Sequence, residues 1–169
     1  MTDQTPTGDM SRAAIVAEQS IRRVEEAAGK RAREFIIDTI GKCESPIEQL
    51  FLIAMATHAV SDMVRVMPQV QMKSGHIADF VVSKRSWSSR VIADVIVECD
   101  GHEFHEKTKE QVERDKKRDR TLLAEGFNVL RFSGREVWRD PFECADEVIR
   151  YLDSRLLESS DVVRAAKPV

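Results

Sequence analysis

A chain of 169 residues, 42% hydrophobic and 33% charged, is long enough for one buried core and short for two. No apolar run approaches the roughly 18 residues of a membrane span, and the polar stretch Met1–Met10 does not read as a signal peptide. A net charge of −3 excludes a nucleic-acid binder that works by overall charge, so any basic surface has to be local. The three cysteines, Cys43, Cys99 and Cys144, lack metal-type spacing and fit the free thiols of a reducing compartment. A cytoplasmic protein with no membrane partner is expected.

In chain order, residues 1–10 read as a disordered lead-in and 11–43 as a helical arm. Ile15, Ile21, Val24, Ala28, Ala32, Phe35, Ile36 and Ile40 recur mostly at helical steps, and Gly29 is a candidate break. Seven acidic and seven basic residues leave residues 1–43 uncharged overall. Such an arm packs on the core or on a second subunit, or grips a partner protein or DNA. Glu44–Ser–Pro–Ile–Glu48 then reads as a helix start: Ser45 caps, Pro46 suits the first turn, and Glu48 stands three after the serine. Glu48 is either part of that cap or a carboxylate turned toward a neighbouring acidic strand.

Val64–Gln71 and His76–Val82 read as a hairpin about the Lys73–Gly75 turn, with Pro68 marking an edge or bulge. Asp79 interrupts an otherwise apolar strand, and a buried aspartate needs a cation or a hydrogen-bonding partner. The loop Ser83–Arg90 holds Lys84, Arg85, Trp87 and Arg90, a mixture that suits phosphate contact with base stacking or an ordinary solvated turn. Strand Val91–Cys99 leads into Glu98–Cys–Asp100–Gly–His–Glu–Phe–His105. Glu98 and Asp100 are two apart, so on a strand they share a face, and His105 can fold back after the turn at Gly101. A hard divalent cation makes such adjacent carboxylates tolerable.

A charged helix over Glu106–Glu125, a stop at Gly126, a strand Phe127–Phe132, a turn through Trp138 and an amphipathic helix Pro141–Leu157 complete the pattern. A domain over 44–157 with a flexible tail at 158–169 follows. The order α-β-β-β-α-β-α after the arm implies an α/β fold, a mixed sheet flanked by helices on both faces.

Three segments together carry a family resemblance: Ile77–Ala–Asp79–Phe; Val97–Glu98–Cys–Asp100–Gly; and Asp115–x–x–Arg118–Asp119–x–x–Leu122–x–x–x–Gly126–Phe–x–Val–Leu–Arg131–Phe132. From Ser45 to Leu152 the chain resembles the DUF559 family, in the Vsr-like branch of the PD-(D/E)XK restriction-endonuclease-like nucleases. The resemblance implies a restriction-endonuclease-like sheet and a metal-dependent DNA endonuclease acting in repair, restriction or mobile-element processing. It makes Asp79 and Glu98 the strand acids, Glu48 the helical glutamate that precedes the sheet, and His105 the histidine that assists catalysis.

One position departs from the pattern. The lysine usual two residues after the strand acid is Asp100 here, so the water-activating group is open between His105 and Lys107. Asp79, Glu98 and Asp100 are then the expected ligands of Mg²⁺, with Mn²⁺ as the alternative. Their oxygens favour these ions over the zinc that nearby histidines would suggest. Lys84, Arg85, Trp87, Arg90, Lys107 and Arg118 are expected on the DNA side, joined by Lys109, Lys116 and Lys117. Arg131 is expected to brace the acids, and Asp115 and Asp119 to pair with nearby arginines. Two rivals stand beside this reading: a catalytically inactive nucleic-acid-binding or assembly module on the same fold, and a structural metal site on an interaction domain.

Overall fold

The computed structural model describes residues 7–61, 63–86, 91–101 and 109–165. The arm is a single helix, α1 (Thr7–Thr39), closed by a 3₁₀ turn at Ile40–Lys42. It begins inside the stretch expected to be a lead-in and runs through Gly29 without a break. A glycine within a helix costs about 1 kcal/mol relative to alanine, and a long helix absorbs that. Glu18, Arg22, Glu26, Lys30 and Glu34 alternate in sign at four-residue steps, the spacing at which helical side chains meet. Lys30 and Glu34 stand 3.9 Å apart. Val24 is 69% exposed, whereas Phe35 and Ile40 pack against the main core, so the arm docks by its C-terminal end.

Helix α2 (Pro46–Ala59) starts where the sequence places it, on the Ser45 cap with Pro46 in the first turn. Four strands follow: β1 (Val64–Gln71), β2 (Ile77–Arg85), β3 (Val91–Asp100) and β4 (Val129–Ser133). They lie side by side in that order; β1–β2 and β2–β3 are antiparallel, and β3–β4 is parallel. A parallel pair needs a crossover, and α3 (Lys109–Ala124) lies between those two strands in the chain. The expected turn after β4 is instead a short helix, α4 (Gly134–Arg139), started by a full capping box between Ser133 and Glu136. The closing helix α5 (Pro141–Ala165) continues past the expected end at Leu157.

Side-chain alternation along β3 assigns the two faces. Val95, Val97 and Cys99 join Phe80 and Val82 in the larger core beneath α2, α4 and α5. There Phe51 meets Phe80 at 5.0 Å and Phe132 at 6.0 Å between ring centroids. Ile96, of opposite parity, packs with Ala78, Val81 and Leu122 of α3 in a smaller core on the other face. Glu98 and Asp100 share the parity of Ile96, which aims them toward the α3 side. Among the described residues no helix is long and apolar enough to cross a membrane.

Candidate active site

The site is built from one row of residues crossing the sheet. Glu98 on β3 pairs with Arg131 on β4. The β2–β3 ladder, which pairs Phe80 with Val97, brings Asp79 opposite Glu98 when continued by one step. On β1, Pro68 and Val70 pair with Phe80 and Ala78, leaving Gln69 between them and opposite Asp79. The row thus reads Gln69, Asp79, Glu98, Arg131. No local pattern reveals it, because it depends on three separate strand registers.

Asp79 sits on the ladder's end, where its Oδ2 accepts the Cys99 N–H at 2.8 Å. Burial pushes its carboxyl up to about 6; the Cys99 hydrogen bond opposes this, while the charges of Glu98, Glu48 and Asp100 add to it. Glu98 is 4% exposed and is surrounded on several sides. His76 Nε2 lies 2.9 Å from its Oε1, and the tautomer protonated there donates to the carboxylate. Arg118 and Arg131 stand 3.6 and 3.8 Å from Oε2.

Arg131 holds the wider array. It lies 3.6 Å from Asp100 and donates to Asp119 at 2.6 Å. Burial works against its charge, yet the hydrogen bond it donates to Asp119 and the charges of Asp119, Glu98 and Asp100 outweigh that and raise its pKa. Asp115, Arg118, Asp119 and Leu122 recur at three- and four-residue steps on α3, so one helix stripe supplies ion-pair partners at one end and core packing at the other. This geometry accords with the expected bracing by Arg131 and the pairing of Asp115 and Asp119 with arginines. Arg118, expected on the DNA side, lies against Glu98 and Asp115.

Glu48 fills both roles considered for it. Its Oε1 accepts from Ser45 Oγ at 2.7 Å and its Oε2 from the Glu44 N–H at 2.9 Å, so it completes the α2 cap. It is also 6% exposed and close enough to raise the Asp79 pKa. Gln69 Nε2 donates to the same Oε2 at 2.9 Å. Gln69 has φ of 51°, the left-handed region that non-glycine residues seldom adopt, so β1 is distorted where it reaches Glu48.

Gln69 and His76 are the two residues at this site that sequence reasoning missed. Pro68 pointed to an irregularity in β1, but nothing in the sequence named Gln69 as the residue that turns. His76 was placed in the strand; it lies just before β2, after a turn in which Gly75 adopts φ of 83°.

Of the expected basic loop, the described cations lie elsewhere. Lys84 and Arg85 end β2, five and six residues from Asp79, which corresponds to about 17–20 Å along a strand. Lys84 is paired with Asp153 of α5. Lys116 and Lys117 are exposed on α3. Trp87, Arg90, His105 and Lys107 lie outside the described residues, as does His102.

As donors, Asp79, Glu98 and Asp100 offer hard oxygens, and burial first, then neighbouring charge, disfavours the Asp79 carboxylate. That chemistry fits Mg²⁺ or Mn²⁺. Among the described residues, however, no three His, Cys, Asp or Glu side chains form a group that could hold a metal ion. Burial is the main cause raising Cys43 and Cys144 to about 11 and Cys99 still higher, so the metal-free thiols are held protonated.

The four-stranded mixed sheet between helices, with an added N-terminal helix, defines a restriction-endonuclease-like α/β fold. The REase_MTES_1575 family model matches residues 51–152, more than half of the chain. The chain belongs to that restriction-endonuclease-like family, which gives it a nuclease-like assignment. No curated protein and no solved structure matches the chain. Glu48 falls just before the matched segment, whereas Gln69, Asp79, Glu98 and Arg131 fall within it.

Proposed function

We propose that the protein is a metal-dependent DNA endonuclease of the Vsr-like, DUF559 type, hydrolysing phosphodiester bonds in repair, restriction or mobile-element processing. The observation that carries this reading is the cross-strand pair Asp79 and Glu98, with the Asp79 carboxyl pushed to about 6 by burial and by the acids around it. Crowded acids in a family of nucleases are the expected signature of a cation site. Asp79 and Glu98 would hold Mg²⁺ or Mn²⁺, with Asp100 having to move in to complete the set, and the ion would supply positive charge that offsets the negative charge growing on a phosphodiester under attack.

The chain's own groups do the rest. The Cys99 N–H fixes Asp79, while Arg118, Arg131 and His76 fix Glu98. His105 takes the proton of the attacking water or returns one to the leaving oxygen, with Lys107 as the alternative base. Lys116 and Lys117 attract the phosphate backbone, and binding therefore weakens steeply with added salt. The arm is the surface through which a second copy or a partner protein would join.

A second reading has its own support. Glu98 is already engaged by two arginines and a histidine, and such a charge-balanced cluster suits a nucleic-acid-binding module without turnover. One experiment separates the two: supercoiled, single-stranded and mismatched DNA are incubated with Mg²⁺ or Mn²⁺, beside Glu98→Gln and a chelator control. Cleavage by the parent alone, abolished by the chelator, supports the enzyme. Binding without cleavage under every condition refutes it.

A further inference from the structure

The two arginines beside Glu98 are held in different ways. Arg131 is anchored. Its Nη2 donates to Asp119 at 2.6 Å, and its residue pairs with Glu98 across the β3–β4 ladder. Only its Nη1, which stands 3.6 Å from Asp100 and 3.8 Å from Glu98, is left without a hydrogen bond.

Arg118 is held by charge alone. Its Nη2 lies 3.6 Å from Glu98 Oε2 and 3.7 Å from Asp115 Oδ1, and both distances are too long for a hydrogen bond. Its buried Nε has no hydrogen-bond partner among the described residues. A guanidinium carries five N–H donors in a fixed fork, and here that fork meets no acceptor at bonding distance.

Neither acid needs Arg118 strongly. Glu98 has Arg131 on the same Oε2 and His76 on Oε1. Asp115 is an i,i+3 neighbour on α3, and both side chains are 29% exposed, where ion pairs contribute little. The Glu98 side chain is only 5% exposed, so Arg118 reaches solvent where the carboxylate beside it does not. A long side chain with unmatched donors, set between a buried acid and solvent, suits an anion arriving from outside. A phosphate offers paired oxygens that fit the fork.

We propose that Arg118 is a phosphate-binding group held in reserve on Glu98. When that carboxylate is neutralised by other means, the guanidinium turns to a phosphodiester lying over the acids and binds it through two N–H donors. The inference rests on the nuclease reading, in which a cation on Glu98 provides the neutralisation, but it is tested by binding without metal or turnover.

Glu98→Gln keeps the shape of the side chain and removes its charge, so it stands in for neutralisation in a chelating buffer. Affinity for a labelled duplex, and its dependence on salt, are measured by anisotropy for the parent, Glu98→Gln, Arg118→Met and the double variant. Thermal unfolding in the same buffer is recorded for each. The loss of one positive charge acts at a distance in both backgrounds and cancels in the cycle. The expected result is that Arg118→Met costs about tenfold more in affinity in the Glu98→Gln background than in the parent. The slope of log affinity against log salt should also flatten by about 0.9 more in that background, the share of one phosphate contact. Arg118→Lys in the Glu98→Gln background should keep the slope and bind more weakly than arginine, because an ammonium lacks the fork.

A brace that never leaves Glu98 gives a different picture. Arg118→Met would then lower the unfolding midpoint of the parent and change DNA binding equally in both backgrounds, and the proposal falls. It falls too when a lysine binds as tightly as Arg118, a comparison that does not depend on the methionine variants folding, or when no member of the set binds duplex. Cleavage by the parent together with equal losses in the cycle defeats this inference alone. The expected cycle in a protein that cleaves no DNA with Mg²⁺ or Mn²⁺ defeats the nuclease reading alone.

Discussion

Replacing Asp79 by asparagine is expected to stabilise the metal-free protein while abolishing cleavage. The side chain keeps its shape, and an asparagine oxygen can still accept the Cys99 N–H. What is lost is a charge that the fold disfavours, since burial and three neighbouring acids lift the carboxyl from 3.8 to about 6. At 1.36 kcal/mol per unit the shift sets a ceiling of about 3 kcal/mol. Partial exposure to solvent screens part of it, leaving about 1–2 kcal/mol.

The direction with pH follows from the raised value. The native state holds its proton more tightly than the unfolded chain, so the group costs nothing below pH about 4. The cost grows as pH rises through the window from about 4 to 6, and it is complete above that. Thermal or urea unfolding of parent and variant in chelator at pH 4 and pH 7.5 measures the difference. Asp79→Asn should melt about 2–8 °C higher at pH 7.5 and no higher at pH 4. Mg²⁺ or Mn²⁺ should stabilise the parent more than the variant. A variant equally or less stable at pH 7.5, or one with the same shift at both pH values, would refute the account of Asp79 as a carboxylate strained by its neighbours.

Three further substitutions probe the row and its supports. Gln69→Ala removes the amide that holds buried Glu48 and keeps the left-handed backbone, so it should cost about 1–3 kcal/mol in urea unfolding; Gln69→Gly, which relaxes that backbone, should cost less. Gly134→Ala would bring a Cβ within 2.7 Å of Ile47 Cδ1, the flexible end of that side chain, so it should cost less than about 1 kcal/mol, and Ile47→Val should remove that cost in a double-mutant cycle. Arg131→Met leaves Glu98, Asp100 and Asp119 without their shared cation; unfolding measurements should show a loss of about 3 kcal/mol or more, and Arg131→Lys should not restore a forked contact to both Asp119 and Glu98.

The larger part of this architecture is legible from local rules. The Ser45–Pro46–Glu48 start is a capping pattern, and the alternation through Ile96, Glu98 and Asp100 assigns the acids to one face before any contact is known. Sequence position alone could not bring Gln69 alongside Asp79, because that neighbourhood depends on how β1 pairs with β2. It could not turn Arg118 and Asp119 inward either: α3 carries charges on most of its surface, and which of them face the sheet depends on where Leu122 finds its core. The helix α4 was a different kind of omission, since Ser133–x–x–Glu136 carries the same capping signature that identified α2. Lys84 shows the limit of reading a basic loop by composition, because its partner Asp153 lies 69 residues downstream on α5.

The arm has a mechanical consequence. Its charges alternate at helical spacing, with Lys30 and Glu34 paired, and its contacts with the core fall near Phe35 and Ile40. A 33-residue helix reaches about 50 Å, the length of about 15 base pairs of duplex at 3.4 Å per step. Whatever grips the tip of such a strut is kept at a fixed stand-off from the acidic strand, as by the leg of a calliper. Trimming the helix by whole turns would then shorten that stand-off in steps of about 5.4 Å.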